Sequence, residues 1–121
     1  MDELLCPCLV VIPLDYNPNE DGNVLPVEPE TMAEISGWFN RQFEGWRHLG
    51  QEGVGVWRGQ PDRFTTYMVA LPENRTAEFI NVVRSIGIKL RQEAMYYEIG
   101  QPIARIMFIG EQDAGSVAEG G

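Results

Sequence analysis

Apolar residues along the chain follow two spacings, and each spacing predicts one kind of element. The continuous apolar run at residues 9–12 stops at Pro13 and predicts a central strand buried on both faces. Residues 15–26 are rich in Asp, Asn, Pro and Gly, which is typical of a surface loop. Two later runs at residues 54–57 and 63–71 are rich in β-branched and aromatic side chains, and each predicts a strand.

Two other segments repeat apolar residues every three or four positions, as one face of an α-helix does. The first helix is expected to start at Thr31, which has a Glu three residues later as in a capping box, and to end near Gly45. The second covers residues 75–92, with Asn74 or Thr76 as its N-cap. The apolar stripes are Met32, Ile35, Phe39, Phe43 and Trp46 in the first helix, and Phe79, Val82, Val83, Ile86 and Leu90 in the second.

The order of the elements indicates the fold. Residues 94–99 and 103–109 predict two more strands joined by a short hairpin. The result is an α+β, ferredoxin-like βαββαβ plan with one extra C-terminal strand. Both helices then lie on one face of an antiparallel sheet, with the first strand in the centre beside the third. We expect the other face, left open, to be buried by a second subunit or to form the floor of a pocket.

Length and charge narrow the classes of function. The 121 residues predict one α+β domain over 1–110, followed by an acidic, Gly-rich and disordered tail over 111–121. The net charge is −9, and every Lys and Arg lies between Arg41 and Arg105. Acidic flanks oppose nucleic-acid binding, and no apolar run is long enough to cross a membrane. The acidic N-terminus does not match a secretory signal, so we expect a cytoplasmic protein.

Few residues indicate metal or catalytic chemistry. Cys6 and Cys8 are too few for a structural zinc site, and we predict two small buried side chains, with no metal and no cofactor. His48 is the single histidine, and Glu52 lies four residues later. This pair is a candidate general base with its orienting carboxylate, although a surface role for His48 stays open.

A second group of candidates is expected to bind a ligand or a partner on the open face. Arginine binds carboxylates and phosphates through two parallel hydrogen bonds, and tyrosines form pocket walls. Ordinary cross-strand pairing is the alternative role for these residues. The candidates are Trp57, Arg58, Arg63, Tyr67, Tyr96 and Glu98.

Two short motifs flank the predicted third strand and second helix. Gly-Val-Trp-Arg-Gly stands at residues 55–59, and Gln-Glu-Ala-Met-Tyr stands at residues 92–96. Over about residues 50–100 this pattern resembles a group of small bacterial proteins of uncharacterised function. The resemblance implies the ferredoxin-like plan and no particular activity.

These features favour a non-enzymatic interaction module that forms a homodimer through its open face and binds a protein partner or a small ligand. Two alternatives stay open. One is a cofactor-independent enzyme of the dimeric α+β barrel kind, in which His48, Glu52, Arg58 and Tyr67 are the acid–base candidates. The other is a small acidic inhibitor of the phage type that blocks a host enzyme.

Overall fold

The computed structural model describes residues 3–50 and 52–110. Five strands form one antiparallel sheet that two α-helices accompany, which is an α+β architecture. A single 3₁₀ turn, Glu73–Arg75, precedes the second helix. In chain order the elements are β1 (Leu5–Pro13), α1 (Pro29–Gln42), β2 (Arg47–His48), β3 (Gly53–Trp57), β4 (Gln60–Pro72), α2 (Thr76–Lys89) and β5 (Tyr96–Ile99).

The longest strand, β4, organises the sheet. Its neighbours give the order β2-β4-β1-β5, and β3 also pairs with β4. Phe64 of β4 is paired with Gly53 of β3 on one side and with Pro13 of β1 on the other. β2 and β3 therefore lie along the same edge of β4, at different heights.

Burial alternates along β1, so only one face of the sheet is covered. Cys8, Val10 and Ile12 are fully buried, whereas Leu9 and Val11 between them are only half-buried. The prediction of a strand buried on both faces is therefore wrong, because both helices pack on the same side. The core of this side consists of Cys6, Cys8, Val10, Ile12, Val27, Ile35, Phe39, Phe43, Tyr67, Val69, Leu71, Phe79, Val82, Val83, Ile86 and Leu90.

Both helices have bounds that differ from the predicted ones by a few residues. α1 begins at Pro29 and not after Thr31. Proline is tolerated at the first helical position because the N–H group that it lacks would have no hydrogen-bond partner within the helix. It ends at Gln42, where Phe43 turns into extended backbone while its ring stays in the core. α2 ends at Lys89.

The predicted extra strand at residues 103–109 is wrong. Within residues 3–50 and 52–110, Ala104 is the one member of this segment in a β-bridge, through two backbone hydrogen bonds with Leu5 of 2.8 and 2.9 Å. Since β1 starts at Leu5, it offers no further residue for the chain after Ala104 to pair with. The predicted tail at 111–121 lies outside the described residues.

Candidate functional site

One face of the sheet is covered by neither helix. Residues paired across neighbouring antiparallel strands point to the same side, so the register assigns each side chain to a face. We call the uncovered side the open face. Its residues are Pro7, Leu9, Val11, Pro13, Arg47, Trp57, Gln60, Asp62, Phe64, Thr66, Met68, Ala70, Tyr96 and Glu98, together with the β3 glycines Gly53 and Gly55.

A single row of four side chains crosses the open face. Arg47 on β2 pairs with Met68 on β4, Met68 pairs with Leu9 on β1, and Leu9 pairs with Glu98 on β5. The row thus has a cation at one edge, a carboxylate at the other and two apolar side chains between them. Within residues 3–50 and 52–110, neither Arg47 nor Glu98 forms an ion pair.

An aromatic ring extends the open face towards β3. The Phe64 ring lies over two glycines, since a Cβ built on Gly53 would be 2.6 Å from its Cζ and one built on Gly55 would be 3.5 Å from its Cε2. Gly53 is therefore required by the close approach of the ring to the strand backbone, whereas a Cβ at Gly55 would make only an ordinary contact.

Trp57 and Arg58 lie at the tip of the β3–β4 hairpin. Arg58 and Gly59 both have positive φ, of 50° and 79°, which is the pattern of a type I′ turn. The Arg58 guanidinium lies 5.4 Å from the centre of the Trp57 ring and 3.0 Å from a Glu93 carboxylate oxygen. Trp57 is 52% exposed, so the tip presents an aromatic ring beside a cation.

Tyr67 does not lie on the open face, and that expectation is wrong. It is 3% exposed on the helix-covered side, where its hydroxyl is 2.8 Å from the Ser36 hydroxyl and its ring meets Phe39 edge-on. The alternation along β4 reverses the expected orientation, because Met68 takes the open side. Tyr67 is a core residue with a satisfied hydroxyl.

The two catalytic candidates have separate partners. His48 Nε2 is 2.5 Å from Thr65 Oγ1, and the His48 ring packs against Tyr67 with the ring centres 4.9 Å apart. Glu52 accepts a hydrogen bond from Arg63 and not from His48. Thr65 is only 5% exposed, so a substrate does not reach the hydroxyl that His48 contacts. The expected arrangement, in which the carboxylate of Glu52 orients His48 as a general base, is therefore not formed.

Arg63 anchors the chain where β1 ends. Its guanidinium donates to both oxygens of Asp15, at 2.8 and 2.5 Å, and to Glu52 at 2.8 Å. These carboxylates raise the pKa of Arg63, and burial together with the charge of Asp15 raises the pKa of Asp62. Because the Nε, Nη1 and Nη2 groups of Arg63 all donate to protein carboxylates, no pair of N–H groups is left to bind a carboxylate or phosphate ligand through two parallel hydrogen bonds.

The two thiols are buried in the core. Cys8 donates a hydrogen bond from its Sγ to the carbonyl oxygen of Cys6 at 3.3 Å, and neither cysteine forms a disulfide. Burial raises the pKa of the Cys8 thiol to about 11, with the nearby Cys6 adding to the effect. Within the described part of the chain, no three His, Cys, Asp or Glu side chains cluster as metal ligands.

A cavity of about 500 Å³ opens where β4 ends. Leu71 and Phe43 line it from the core, and Met68 brings it to the open face. Ile106 and Phe108, which follow the pairing of Ala104, also line it, as do the charged residues Glu3, Glu44, Arg47 and Arg75. Residues 106–109 are strongly exposed and apolar, with Phe108 at 77%, so an apolar strip adjoins the open face.

The sequence-derived candidates are thus divided among three places. Tyr96 and Glu98 lie on the open face, where the Tyr96 hydroxyl donates to Glu98 at 2.6 Å and that bond raises the pKa of Tyr96. Arg63, Tyr67, His48 and Glu52 belong to the helix-covered side or its margin. Trp57 and Arg58 form the hairpin tip, where the register assigns Trp57 to the open side. Sequence reasoning missed Arg47, Leu9 and Phe64, which only the strand register assigns to the open face.

No protein-family model matches the chain, and no curated protein sequence is significantly similar to it. Among the residues that the structure describes, no helix is both long enough and apolar enough to cross a membrane.

Proposed function

We propose that this protein is an interaction module whose open face binds a second copy of the same chain. The observation that supports this most directly is the composition of that face. An antiparallel sheet that faces water normally carries polar side chains on its wet side. Here the centre of the face is apolar instead, with Leu9, Val11 and Met68 adjacent to one another across β1 and β4.

The apolar surface extends beyond the sheet itself. Phe64 continues it towards β3, and Ile106 and Phe108 border the cavity that Met68 also lines. Contiguous apolar surface that reaches solvent is characteristic of protein–protein contact sites. It supports a protein surface as the occupant of the open face.

The charge of the chain indicates which protein surface can bind to the open face. The protein carries a net charge of −9, yet the open face holds only one cation, Arg47, and two carboxylates, Glu98 and Asp62. A face that carries so little of the net charge limits repulsion between two copies of a strongly acidic chain. Pairing of identical faces is also the commonest symmetry among soluble oligomers.

The proposal includes a ferredoxin-like βαββαβ plan in which β2 and β3 count as one interrupted strand. Their pairing with the same edge of β4 supports this counting. A cytoplasmic location is also part of the proposal, since the two free thiols of Cys6 and Cys8 suit a reducing compartment.

Near-isosteric polar substitutions on the open face test the proposal. The double variant Val11→Thr, Met68→Gln keeps the shape and β propensity of both positions while making them polar. A matched control, Ile88→Gln, replaces a strongly exposed apolar residue on α2. Sedimentation equilibrium is expected to show a dimer for the wild type and the control, and at least about tenfold weaker association for the double variant.

Circular dichroism of the same samples establishes that the double variant is folded. If the folded double variant associates as tightly as the wild type, the open face is not the contact surface. A wild type that stays monomeric at every concentration tested contradicts the proposal as a whole.

A further inference from the structure

The row Arg47–Met68–Leu9–Glu98 is complementary to itself when it is reversed. From the β2 edge to the β5 edge, the row consists of a cation, two apolar side chains and a carboxylate. From the β5 edge to the β2 edge, the same side chains follow in the reverse order. When a reversed copy of the row is placed over the original, each charged side chain lies over one of opposite charge. The apolar side chain of each position then lies over the other apolar side chain. A row with this property fits a second copy of itself in one direction only.

Symmetry determines when such reversal occurs. Two identical sheets packed face to face are related by a two-fold axis that lies between them, either along the strands or across them. An axis along the strands exchanges the two edges, so the β2 edge of one copy lies over the β5 edge of the other. An axis across the strands sets each edge over itself, which brings Arg47 close to Arg47 of the partner subunit.

The dimensions of the row permit the first arrangement. Its two charged ends lie three strand spacings apart, or about 14 Å, and packed sheets are separated by about 10 Å. Aligned sheets cross at about 30°, which moves the ends of so short a row by only a few ångströms. An arginine side chain is long and flexible enough to make up that distance.

Both charges are available for such a contact. Arg47 and Glu98 are exposed, and neither forms an ion pair within the described residues. Among the described side chains, Tyr96 donates a hydrogen bond to Glu98, and this bond engages only one of its carboxylate oxygens. The exposed cation Arg58 at the hairpin tip already has a carboxylate partner, Glu93.

We infer that two copies pack open face to open face about a two-fold axis parallel to the strands, with Arg47 of each copy paired to Glu98 of the partner subunit. Met68 of each copy then lies over Leu9 of the partner subunit. This inference rests on the proposed function and specifies the direction in which the two faces meet.

Charge reversal tests the direction of pairing. In homodimers of Arg47→Glu or of Glu98→Arg, both edge contacts become like-charged, so we expect dimer dissociation constants at least about tenfold above wild type. An equimolar mixture of the two variants has opposite charges at both contacts of its heterodimer. Native mass spectrometry, which separates the species by mass, is therefore expected to show mainly heterodimer, with wild-type affinity.

Three controls make the test specific. The double variant Arg47→Glu, Glu98→Arg keeps the net charge of the wild type and is expected to dimerise as tightly. Arg84→Glu on α2 and Glu20→Arg in the loop before α1 change the net charge equally at exposed positions away from the open face. Both are expected to leave the dissociation constant within about twofold of wild type.

Each result bears on a different claim. If the wild type dimerises but the single variants and their mixture behave like it, the inferred pairing is wrong while the proposed function stands. Preferential pairing of Arg47→Glu with the wild type indicates an axis across the strands and also overturns the inference. A monomeric wild type overturns the proposed function together with the inference.

Discussion

Replacing Gly53 by alanine tests the contact between the Phe64 ring and the backbone of β3. A Cβ at position 53 would be 2.6 Å from both Cε1 and Cζ of that ring, well inside van der Waals contact. At Gly55 the nearest ring atom would be 3.5 Å away, which is an ordinary contact. The two glycines share a strand and a neighbouring ring, so each serves as a control for the other.

The expected magnitudes follow from two opposing effects. Alanine is favoured over glycine in a strand interior by roughly 0.5–1 kcal/mol. At position 53 the ring must move away, and overpacking of this kind costs about 1–3 kcal/mol. We therefore expect Gly55→Ala to be neutral or stabilising by up to about 1 kcal/mol, and Gly53→Ala to be destabilising by about 1 kcal/mol.

Urea denaturation followed by circular dichroism measures both effects. A double-mutant cycle with Phe64→Leu identifies their cause, because the Gly53→Ala penalty should largely disappear once the ring is absent. Equal stabilities of Gly53→Ala and Gly55→Ala would refute the reasoning, as would a Gly53→Ala penalty that persists in the Phe64→Leu background.

Three further predictions follow from single contacts. Hydrogen bonds from Arg75 lower the pKa of Glu78 to about 2, so NMR titration should show that value, and Arg75→Met should return it towards 4.5. The contribution of this ion pair to folding stability is present above pH 4.5 and is lost as the pH falls towards 2. A difference in melting temperature between wild type and Arg75→Met that does not change with pH would contradict this prediction. Burial keeps the Cys8 thiol protonated, so we expect no reaction with a thiol reagent at pH 8 until urea unfolds the chain; rapid labelling of the native protein would be inconsistent with the core. Tyr67→Phe removes the bond to Ser36 and should cost about 1 kcal/mol of unfolding free energy without changing the association state, and a dissociated variant would count against its position in the core.

The sequence indicates both helices and most of the strands, but it does not indicate which side of the sheet each side chain faces. Apolar spacing located both helices, and most of their predicted stripes, such as Ile35 and Phe39, are buried. Residues 9–12 are all apolar, so no alternation was visible there, and the half-burial of Leu9 and Val11 depends on where the helices pack. The same dependence explains the wrong face for Tyr67, since a strand with polar and apolar residues on both sides does not indicate its orientation.

The candidate site was predictable only in part, for a related reason. Tyr96 and Glu98 were identified because β5 is short and its aromatic residues are conspicuous. Arg47 was missed, because its place on the open face follows from pairing with Met68, a contact between elements that the sequence pattern does not encode. Residues 103–109 have strand-like composition, yet among the described residues they have no partner strand beyond the pairing of Ala104 with Leu5.

Native mass spectrometry of the untagged, unmodified chain tests the central claim most directly. Pairing through the open face predicts a concentration-dependent species of twice the 13.6-kDa chain mass, without any added component. A chain that remains a 13.6-kDa monomer throughout the micromolar range would contradict pairing through the open face.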